Sequence, residues 1–524
     1  MKSLATTLFF FAAIYSHQLF GQAGNLDSTF NGNGKVITPI GNNHDVAFSV
    51  FQQPDGKIVV VGNTKSGDYD FALTRYNSDG SLDASFGING IAITDITGSQ
   101  DHALYGAVKP NGKIVAAGNA YMGVGPEYDF AVAQYNPDGT LDPNFGTNGM
   151  VTTPIGTGSD EGYGMALQSD GKIVVAGYAY IDPPQGFDKD FAVVRYDTTG
   201  ALDNSFGING IVTTDYDSTT ESAHDVEIQS NGKIIVAGEI SVAGHSDFAV
   251  TRYAEDGTLD VSWNNTGKVT TALDSNAYAY SIALQEDGKV VVAGHTGDLP
   301  NGDFALVRYN KDGSIDSTFG INGIVITDIA GSDDECYAVY LQPDGKILAA
   351  GHGSIGLTQR LAAVVRYNAD GSLDNTFGSG GKVTTAFGFS DDEYRGMTLQ
   401  QDGKIVACGY TNNQGNDDFA VARYLTDLSL DVLSFSSGEN SVFIFPNPIQ
   451  SAEELEYTLT WDEILSIELY DVGGKLVQSF ITNEKRTSGG HKEHLKINEN
   501  LPAGNYVLTL SNGSHSVSVK MVKQ

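Results

Sequence analysis

Short apolar runs, each entered through a polar turn, recur at regular distances along most of the chain. A Gly-Lys step preceded by Asp or Asn opens runs such as residues 58–61, and it recurs at intervals of 56 to 61 residues. The seven turn glycines are Gly56, Gly112, Gly171, Gly232, Gly288, Gly345 and Gly403. Asp-Gly and Asn-Gly supply the positive φ angles that hairpin turns need, so each step predicts a turn into a buried strand.

Three further patterns follow each apolar run in a fixed order. The first is Asp-Phe-Ala-x-x-Arg-Tyr, as in residues 70–76, the second is a Leu-Asp-x-x-Phe-Gly turn, and the third is a Thr-rich strand. Two copies depart from the first pattern, because Gln134 replaces the arginine and the copy at 361–367 lacks both Asp and Phe. The stretch before each Gly-Lys step supplies a fourth strand. Seven repeats of four strands predict an all-β fold, a seven-bladed β-propeller over residues 24–424.

The two ends of the repeat region complement each other. The first copy begins with Leu26-Asp27 and a strand at 35–39, before any inner strand, whereas the last copy ends at Tyr424 with three strands. With blades that run from inner to outer strand, the N-terminal strand would complete the last blade and close the ring. Closure removes two exposed sheet edges. An open solenoid is the alternative, but it needs capping repeats with a polar outer face, and the sequence has none.

The repeat resembles the delta-60 repeat family of β-propellers, which is similar in layout to NHL-type propellers. The resemblance rests on the Gly-Lys step, the Asp-Phe-Ala-x-x-Arg-Tyr pattern and the Leu-Asp-x-x-Phe-Gly turn, which recur in order over residues 24–424. It implies the propeller fold and an extracellular or envelope setting. It implies no activity, because the family brings no catalytic signature to these residues.

A different pattern of short strands begins after the repeats. We expect a linker at 425–440 and a small β-sandwich at 441–524. The tail contains Pro-Asn-Pro, an Asp-x-x-Gly-Lys turn, a Gly-x-Tyr strand and a basic last strand. These elements resemble the type A sorting domain of the type IX secretion system of Bacteroidetes. The residues that carry the resemblance are Pro446, Asn447, Pro448, Gly474, Lys475, Gly504, Tyr506, Lys520 and Lys523.

Both ends of the chain predict export. The resemblance of the tail implies passage through the type IX secretion machinery, then removal of the domain or attachment to the cell surface; the alternative is an ordinary accessory sandwich. At the other end, Lys2, an apolar stretch at 4–15 and small residues near Ala23 are typical of a signal peptide over residues 1–22. No segment approaches transmembrane length. We therefore expect a protein that is secreted or held on the outer-membrane surface.

Composition narrows the class of partner. The chain carries 30 Lys and Arg against 64 Asp and Glu, a formal net charge of -34. Phosphate groups would be repelled, which argues against nucleic acids and anionic membranes and leaves cations, basic proteins and neutral glycans. Cys336 and Cys408 are the only cysteines, so we expect no disulfide framework. We expect a monomer.

One column of the aligned repeats is almost entirely acidic. The residue eleven positions before each turn glycine is acidic in six copies: Asp45, Asp101, Asp160, Glu221, Asp334 and Asp392. At the start of the innermost strands, these carboxylates would surround one mouth of the central channel and attract cations, and their hard oxygen ligands would favour Ca²⁺. The alternative is that they cap turns by accepting backbone N–H bonds, because a repeated position usually serves the repeated fold.

Two connections between second and third strands are longer than the rest, at residues 119–128 and 178–189. They belong to adjacent repeats and carry the aromatic residues Tyr121, Tyr128, Tyr178, Tyr180 and Phe187. Aromatic loops on a rigid scaffold predict a platform on which rings stack against sugars or apolar side chains. The alternative is a loop cluster that packs only on itself.

No motif in the sequence marks a catalytic site. Gly-x-Ser-x-Gly, phosphate-loop, His-Glu-x-x-His and paired-cysteine patterns are absent, so we expect no catalytic residue. The repeated Asp70 and Arg75 lie five residues apart on opposite faces of a strand, so each is expected to bond a neighbouring blade or loop. If the protein were a metal-dependent propeller hydrolase or lactonase, two or three of its scattered histidines would meet at the channel mouth beside the carboxylates and bind the metal. These are His102, His224, His295 and His352.

The leading hypothesis is an exported or cell-surface propeller that binds or scaffolds a protein or glycan ligand. It requires no cofactor, and the oxygen ligands of the acidic column would suit Ca²⁺ better than a transition metal. One alternative is a Ca²⁺-dependent hydrolase or lactonase that uses the acidic channel mouth. The other is a purely structural surface protein whose ring is a rigid spacer.

Overall fold

The computed structural model contains two compact units, Met1–Thr426 and Asp427–Gln524. It describes residues 23–427 and 442–523, except 42, 124–126, 182–187, 217–219, 243, 274, 298–300, 357–358, 389, 446–451, 460–462, 472–474, 488, 499–500, 503 and 512–515. The predicted signal peptide therefore lies outside the described residues. Within the described ranges every regular element is a β-strand.

The first unit consists of seven four-stranded antiparallel sheets, which confirms the seven-bladed propeller. Blades 1 to 6, each from inner to outer strand, are β2–β5 (Asp45–Gln52, Ile58–Lys65, Tyr69–Tyr76, Ile91–Thr94), β6–β9 (Asp101–Val108, Ile114–Tyr121, Tyr128–Tyr135, Met150–Thr153), β10–β13 (Asp160–Leu167, Ile173–Tyr180, Lys189–Tyr196, Ile211–Thr214), β14–β17 (Glu221–Ile228, Ile234–Val242, His245–Tyr253, Lys268–Thr271), β18–β21 (Ala277–Leu284, Val290–Thr296, Asp303–Tyr309, Ile324–Thr327) and β22–β25 (Glu335–Leu341, Ile347–Ile355, Gln359–Tyr367, Lys382–Thr385). Blade 7 is β26–β28 (Asp392–Leu399, Ile405–Asn413, Asn416–Tyr424) together with β1 (Lys35–Thr38).

The turn glycines and the apolar runs behave as their chemistry requires. Gly56 has φ 85°, a left-handed conformation that glycine adopts without strain, and Asp55 Oδ1 accepts the backbone N–H of Lys57 at 3.1 Å. The strand that follows is buried on both faces, since each blade packs between two others. This explains why its sequence is a continuous apolar run rather than an alternation of apolar and polar residues.

The N-terminal strand supplies the outer strand of the last blade. β1 pairs antiparallel with β28, with Lys35 opposite Ala422 and Thr38 opposite Phe419. The innermost strands β2 and β26 of the first and last blades also pack against each other. Blade 7 is therefore built from both ends of the repeat region.

A buried tyrosine–threonine hydrogen bond joins each blade to the preceding one. The tyrosine closes the third strand of one blade, and the threonine ends the outer strand of its neighbour, at oxygen–oxygen distances of 2.6 to 3.0 Å. The pairs are Tyr76–Thr38, Tyr135–Thr94, Tyr196–Thr153, Tyr253–Thr214, Tyr309–Thr271, Tyr367–Thr327 and Tyr424–Thr385. The Tyr76–Thr38 bond links blade 1 to the strand donated by the N-terminus.

The repeated arginine is a structural cation. Arg75 Nε lies 2.7 Å from Asp83 Oδ2, which also pairs with Lys57 at 2.9 Å, and the guanidinium donates to the Pro137 carbonyl in the next blade. The same pair is Arg195–Asp203, Arg252–Asp260, Arg308–Asp316, Arg366–Asp374 and, in blade 7, Arg423–Asp27. As the spacing predicted, the arginine does not pair with the aspartate five residues before it.

Blade 2 lacks the repeated arginine, and Lys109, which directly follows β6, supplies a cation in its place. Gln134 Nε2 donates to Asp142 at 2.6 Å, and Lys109 Nζ donates to Gln134 Oε1 at 2.6 Å. The position of Lys109 is glutamine in the other six repeats. The charge lost at one position is therefore restored at a neighbouring one.

The second unit contains a three-stranded and a four-stranded sheet. Its strands are β29 (Val442–Phe445), β30 (Ala452–Leu459), β31 (Glu463–Asp471), β32 (Leu476–Arg486), β33 (Gly489–Lys496), β34 (Gly504–Ser511) and β35 (Ser516–Lys523), in the orders β29-β30-β33 and β32-β31-β34-β35. Leu495 of the first sheet shares a buried cluster with Ile467, Leu469 and Leu508 of the second.

Candidate functional site

A β-bulge occurs at the same place in all seven innermost strands and turns one side chain per blade into the central channel. The pairing register skips one residue in each strand, for instance between Gly162 and Gly164. The skipped residues all line the channel cavity, which has a volume of about 590 Å³. They form what we call the bulge ring: Phe48, Leu104, Tyr163, His224, Tyr280, Tyr337 and Arg395.

Most of the bulge ring is joined by direct contacts. The ring centroids of Tyr163 and His224 lie 5.0 Å apart, those of His224 and Tyr280 5.0 Å, and those of Tyr280 and Tyr337 5.2 Å. The guanidinium of Arg395 lies 3.9 Å from the centroid of Tyr337. Aromatic and cation–π contacts at these distances are favourable, so side chains from consecutive blades narrow the channel at this level.

Carboxylates partner the bulge ring on the side of the second-to-third-strand loops. Glu161 accepts hydrogen bonds from Tyr163 at 2.8 Å and from Tyr178 at 2.5 Å. His224 Nε2 lies 2.7 Å from Glu239 Oε2. Blade 6 repeats the first of these bonds as Tyr337 to Glu335, and blade 7 repeats the second as Tyr410 to Glu393, whereas the histidine–glutamate pair has no counterpart in the aligned positions of the other repeats.

The acidic column lies at the start of the innermost strands, but its side chains are buried in their own turns. Each accepts one or two backbone N–H groups from residues four and five positions earlier, as when Asp45 Oδ2 accepts Ile40 at 2.7 Å and Gly41 at 3.0 Å. The same bonds are made by Asp101, Asp160, Glu221, Asp334 and Asp392, and all six residues are 0% exposed. None of the six lines the channel cavity. This geometry matches the turn-capping alternative.

Three column members also approach carboxylates of the preceding blade. Oxygens of Asp70, Asp95 and Asp101 lie within 4.8 Å of one another, and equivalent groups are Asp190–Asp215–Glu221 and Asp303–Asp328–Asp334. Burial, then the charges of Asp95 and Asp101, raise the pKa of Asp70 to about 6. Oxygen-only ligands of this kind suit Ca²⁺. The hypothesis of a calcium site therefore applies to these three groups.

The loops of blades 1 and 2 bring together what we call the aromatic patch: Tyr69, His102, Tyr121 and Tyr128. The ring centroids of Tyr121 and Tyr128 lie 5.4 Å apart, those of Tyr128 and His102 6.0 Å, and those of His102 and Tyr69 5.0 Å. All four side chains are partly exposed. Tyr121 and Tyr128 face each other across β7 and β8, and the backbone N–H of Tyr128 donates to Ser159 of blade 3 at 3.0 Å, so the patch is fixed by regular pairing.

The aromatic residues of the blade 3 loop are placed differently. Tyr178 is only 5% exposed, and Lys189 Nζ lies 3.7 Å from its ring centroid, so its face is covered. Tyr180 is partly exposed and packs edge-on against Tyr178, with 5.9 Å between centroids. Phe187 lies outside the described residues. Of the predicted platform residues, Tyr121, Tyr128 and Tyr180 therefore present ring surface.

Sequence reasoning missed Tyr69 and the bulge ring. Tyr69 precedes the repeated Asp-Phe-Ala pattern, where the other repeats have Tyr, Lys, Ser, Gly, Arg and Asp, so this position signals a difference between copies. The bulge ring occupies the third position after the acidic column. Aligning that position would have shown five aromatic or imidazole rings, one arginine and one leucine among its seven residues.

Two of the predicted sorting residues donate hydrogen bonds to backbone carbonyls of residues 498, 501 and 502 in the second unit. Tyr506 is buried and donates its hydroxyl to the Pro502 carbonyl at 2.7 Å, and Lys523 Nζ donates to the carbonyls of Asn498 at 3.0 Å and Leu501 at 2.5 Å. Gly504 begins β34, Lys520 lies in β35, and Lys475 directly precedes β32. The other predicted residues, Pro446, Asn447, Pro448 and Gly474, lie outside the described residues. The described part of the chain has no helix that is long and apolar enough to span a membrane.

Several solved structures are similar to the chain at low identity. PorZ, described as an essential bacterial surface component of the type IX secretion system of Porphyromonas gingivalis, is 11% identical with a TM-score of 0.39, over 90% of this chain and 59% of PorZ. The chain thus spans less than two thirds of PorZ. An ulvan lyase is 12% identical with a TM-score of 0.42, over 77% and 96% of the two chains. Sqt1 of Chaetomium thermophilum is 12% identical with a TM-score of 0.36, over 77% and 97%. Values this low support no statement about function.

Family models match both units. A model described as a β-propeller domain of unknown function (DUF5122) matches one segment in each repeat: 53–86, 109–145, 168–206, 229–262, 285–319, 342–377 and 400–432. A model described as a secretion system C-terminal sorting domain matches 443–524. No curated protein matches the sequence of the chain. The chain therefore belongs to the DUF5122 β-propeller family and carries a type IX secretion sorting domain, which directs it to the cell surface or outer membrane.

Proposed function

We propose that this exported propeller is a binding module whose ligand is held at the aromatic patch. The observation that carries the proposal is the row of four partly exposed rings, Tyr69, His102, Tyr121 and Tyr128, that spans blades 1 and 2. Contiguous aromatic surface on a rigid scaffold is a common ligand platform.

The chemistry around the patch indicates the class of ligand. The ring faces suit the apolar faces of sugars and the side chains of a protein. The electrostatic field of a chain with a net charge of -34 disfavours anionic ligands. We therefore favour a neutral glycan, or a protein segment with basic and apolar side chains.

Preorganisation supports binding at this place. Tyr121 and Tyr128 lie at the ends of paired strands, and Tyr128 donates its hydroxyl to Gln100 at 3.0 Å, so its ring orientation is fixed before a ligand arrives. A fixed side chain loses little conformational entropy on binding, and that saving adds to affinity.

A glycan array followed by calorimetry tests the proposal. The full chain without residues 1–22 should retain neutral glycans, and Tyr121→Ala or Tyr128→Ala should weaken the best hit about tenfold, which corresponds to ~1.4 kcal/mol. Tyr340→Ala is the matched control, because Tyr340 is 36% exposed at the opposite end of an innermost strand. If all three variants bind as tightly as the unmodified chain, the ligand site does not lie at the aromatic patch. If no glycan on the array and no basic peptide binds, the purely structural spacer is favoured.

A calcium-dependent hydrolase is the second candidate, because three groups of three carboxylates recur between blades. If it is right, CaCl₂ binds with measurable heat and raises the unfolding temperature, and Asp303→Asn lowers the number of ions bound. Absence of both heat and thermal shift would reject it.

A further inference from the structure

Two carboxylates and a histidine converge at the start of blade 6. Asp333 lies two residues before Glu335, which is the first residue of β22. His352 is directly opposite Glu335 in the pairing of β22 with β23. As a result, one ligand atom from each of the three residues lies within 4.8 Å of the other two.

His352 is a buried imidazole without a hydrogen bond. Its side chain is 0% exposed, and neither ring nitrogen has a hydrogen-bond partner among the described residues. Its Nδ1 is 3.3 Å from Glu393 Oε2, outside hydrogen-bonding geometry. Leaving a buried polar nitrogen unpaired is unfavourable, so a missing partner is expected.

The protonation state of His352 suits a ligand role. Burial, opposed by the charge of Glu335, lowers its pKa to about 3, so the imidazole is neutral at physiological pH. A neutral imidazole has a lone pair available for coordination.

The negative charges of Asp333 and Glu335 are not neutralised by a neighbouring Lys or Arg side chain among the described residues. The two nearby guanidinium groups, Arg360 and Arg395, both pair with Glu393. In the described parts of the chain, neither Asp333 nor Glu335 forms an ion pair with Lys or Arg. Glu335 accepts the hydroxyl of Tyr337, which leaves its other oxygen open.

A second imidazole lies beside the group. His295 of blade 5 is 8% exposed, its Nδ1 has no hydrogen-bond partner, and its ring lies between Tyr278 and Tyr280, at centroid distances of 5.0 and 5.6 Å. The stacking fixes its orientation. Asp333 and Glu335 are close enough for their charges to act on it.

We propose that Asp333, Glu335 and His352 bind one divalent transition-metal ion, with Zn²⁺ as the best fit. Zn²⁺ accepts both imidazole nitrogen and carboxylate oxygen as ligands, whereas Ca²⁺ prefers oxygen ligands alone. Three protein ligands leave a fourth position open, as zinc sites require when they bind water or substrate. The site lies in blade 6 and is independent of the aromatic patch of blades 1 and 2.

Calorimetry on the untagged full chain without residues 1–22 tests the site. After treatment with a chelator, ZnCl₂ should bind at one high-affinity site per chain. His352→Gln and Glu335→Gln should each weaken that binding at least ~10-fold. His44→Gln is the matched control, since His44 also lies beside a carboxylate, Asp417 at 2.7 Å, but is 40% exposed; it should bind zinc as the unmodified chain does.

Cobalt spectroscopy provides a readout that is independent of affinity. Co²⁺ should give visible absorption bands of a nitrogen-containing site of low coordination number, and His352→Gln should abolish them. Asp333→Asn serves if a first variant fails to fold, as judged by its melting curve. No zinc binding, or binding and spectra that His352→Gln and Asp333→Asn leave unchanged, would overturn the proposal. Zinc binding that His44→Gln removes would indicate a surface site instead.

Discussion

At the residue scale, the acidic column shows how a repeated charged position can serve the fold. Asp101 accepts the backbone N–H groups of Ile96 at 2.6 Å and Thr97 at 3.2 Å and the Thr97 hydroxyl at 2.9 Å. Its place at the start of an innermost strand was predicted from spacing. Turn capping was one of the two roles predicted for it, because a repeated position usually serves the repeated fold, but residue spacing alone did not decide between capping and a cation site at the channel mouth.

Asp101→Ala should therefore destabilise the propeller. Two partly buried N–H groups would lose their acceptor, which costs up to about 1–3 kcal/mol for each group that water does not reach. Urea unfolding of the variant and of the unmodified chain measures the difference. Ala277 occupies the same column in blade 5, so Ala277→Ser is a control substitution that should have a small effect. An unchanged urea midpoint for Asp101→Ala would show that the turn does not depend on the carboxylate.

At the scale of the element, the blade is well predicted from sequence, but its bulge is not. The Gly-Lys step and the patterns after it place all four strands, because apolar runs and turn residues report burial and chain reversal directly. The bulge changes only the pairing register, and the residue it extrudes can be Phe, Leu, Tyr, His or Arg. The bulge ring at the channel therefore emerged only from the paired strands.

Blade 2 provides a test of the repeated cation network. Lys109→Gln should lower the free energy of unfolding by about 1–2 kcal/mol, because it removes a buried charge-assisted hydrogen bond to Gln134. Gln134→Arg alone should also be destabilising, because the new guanidinium would lie beside the buried Lys109 ammonium. The double variant restores the pairing seen in other blades and should be close to the unmodified chain.

A double-mutant cycle in urea measures this coupling. The reciprocal change in blade 3, Gln168→Lys with Arg195→Gln, is the matched control and should behave in the same way. Additive effects of the two substitutions in blade 2 would mean that Lys109 does not replace the arginine.

At the scale of the whole molecule, buried carboxylates set how stability depends on pH. Burial raises the pKa of Asp70 and Asp129 to about 6, with nearby carboxylates adding to the shift. These groups titrate near 3.8 when unperturbed, so the folded state binds more protons between these pH values, and stability falls as pH rises through that window. Asp142 acts in the opposite sense. Hydrogen bonding from Lys113 lowers its pKa to about 2, so its contribution is lost below about pH 4.

The unfolding temperature should therefore be highest near pH 4 and should fall as the pH rises to about 6, and these groups should change it little between pH 6 and pH 8. Thermal melts across that range measure it. Asp70→Asn combined with Asp129→Asn should flatten the decline above pH 5, because an amide does not titrate. A melting temperature that rises steadily from pH 4 to pH 6 would contradict these assignments.

At the same scale, the two ends of the repeat region were predicted to complement each other, and the N-terminal strand does pair with the last blade. β1 pairs with β28, Asp27 binds Arg423 at 2.7 Å and Lys404 at 3.2 Å, and Thr38 bonds Tyr76 of blade 1. This long-range pairing could be predicted from the sequence only because the repeat is regular. The regular pattern shows that the first copy is preceded by an extra strand and that the last copy lacks its fourth strand. The proposed ligand platform was predicted from the opposite signal, the positions where the copies differ: the longest connections indicated Tyr121 and Tyr128, whereas Tyr69 follows a shorter connection and was missed.

Hydrogen exchange, compared between the chain that starts at residue 23 and the chain that starts at residue 41, tests this closure most directly. If the N-terminal strand closes the ring, the shorter chain should lose amide protection in β28, at residues 419–422, and in β2 of blade 1, while blades 3 to 5 keep theirs. Unchanged protection in β28 and β2 would show that the ring does not need its N-terminal strand.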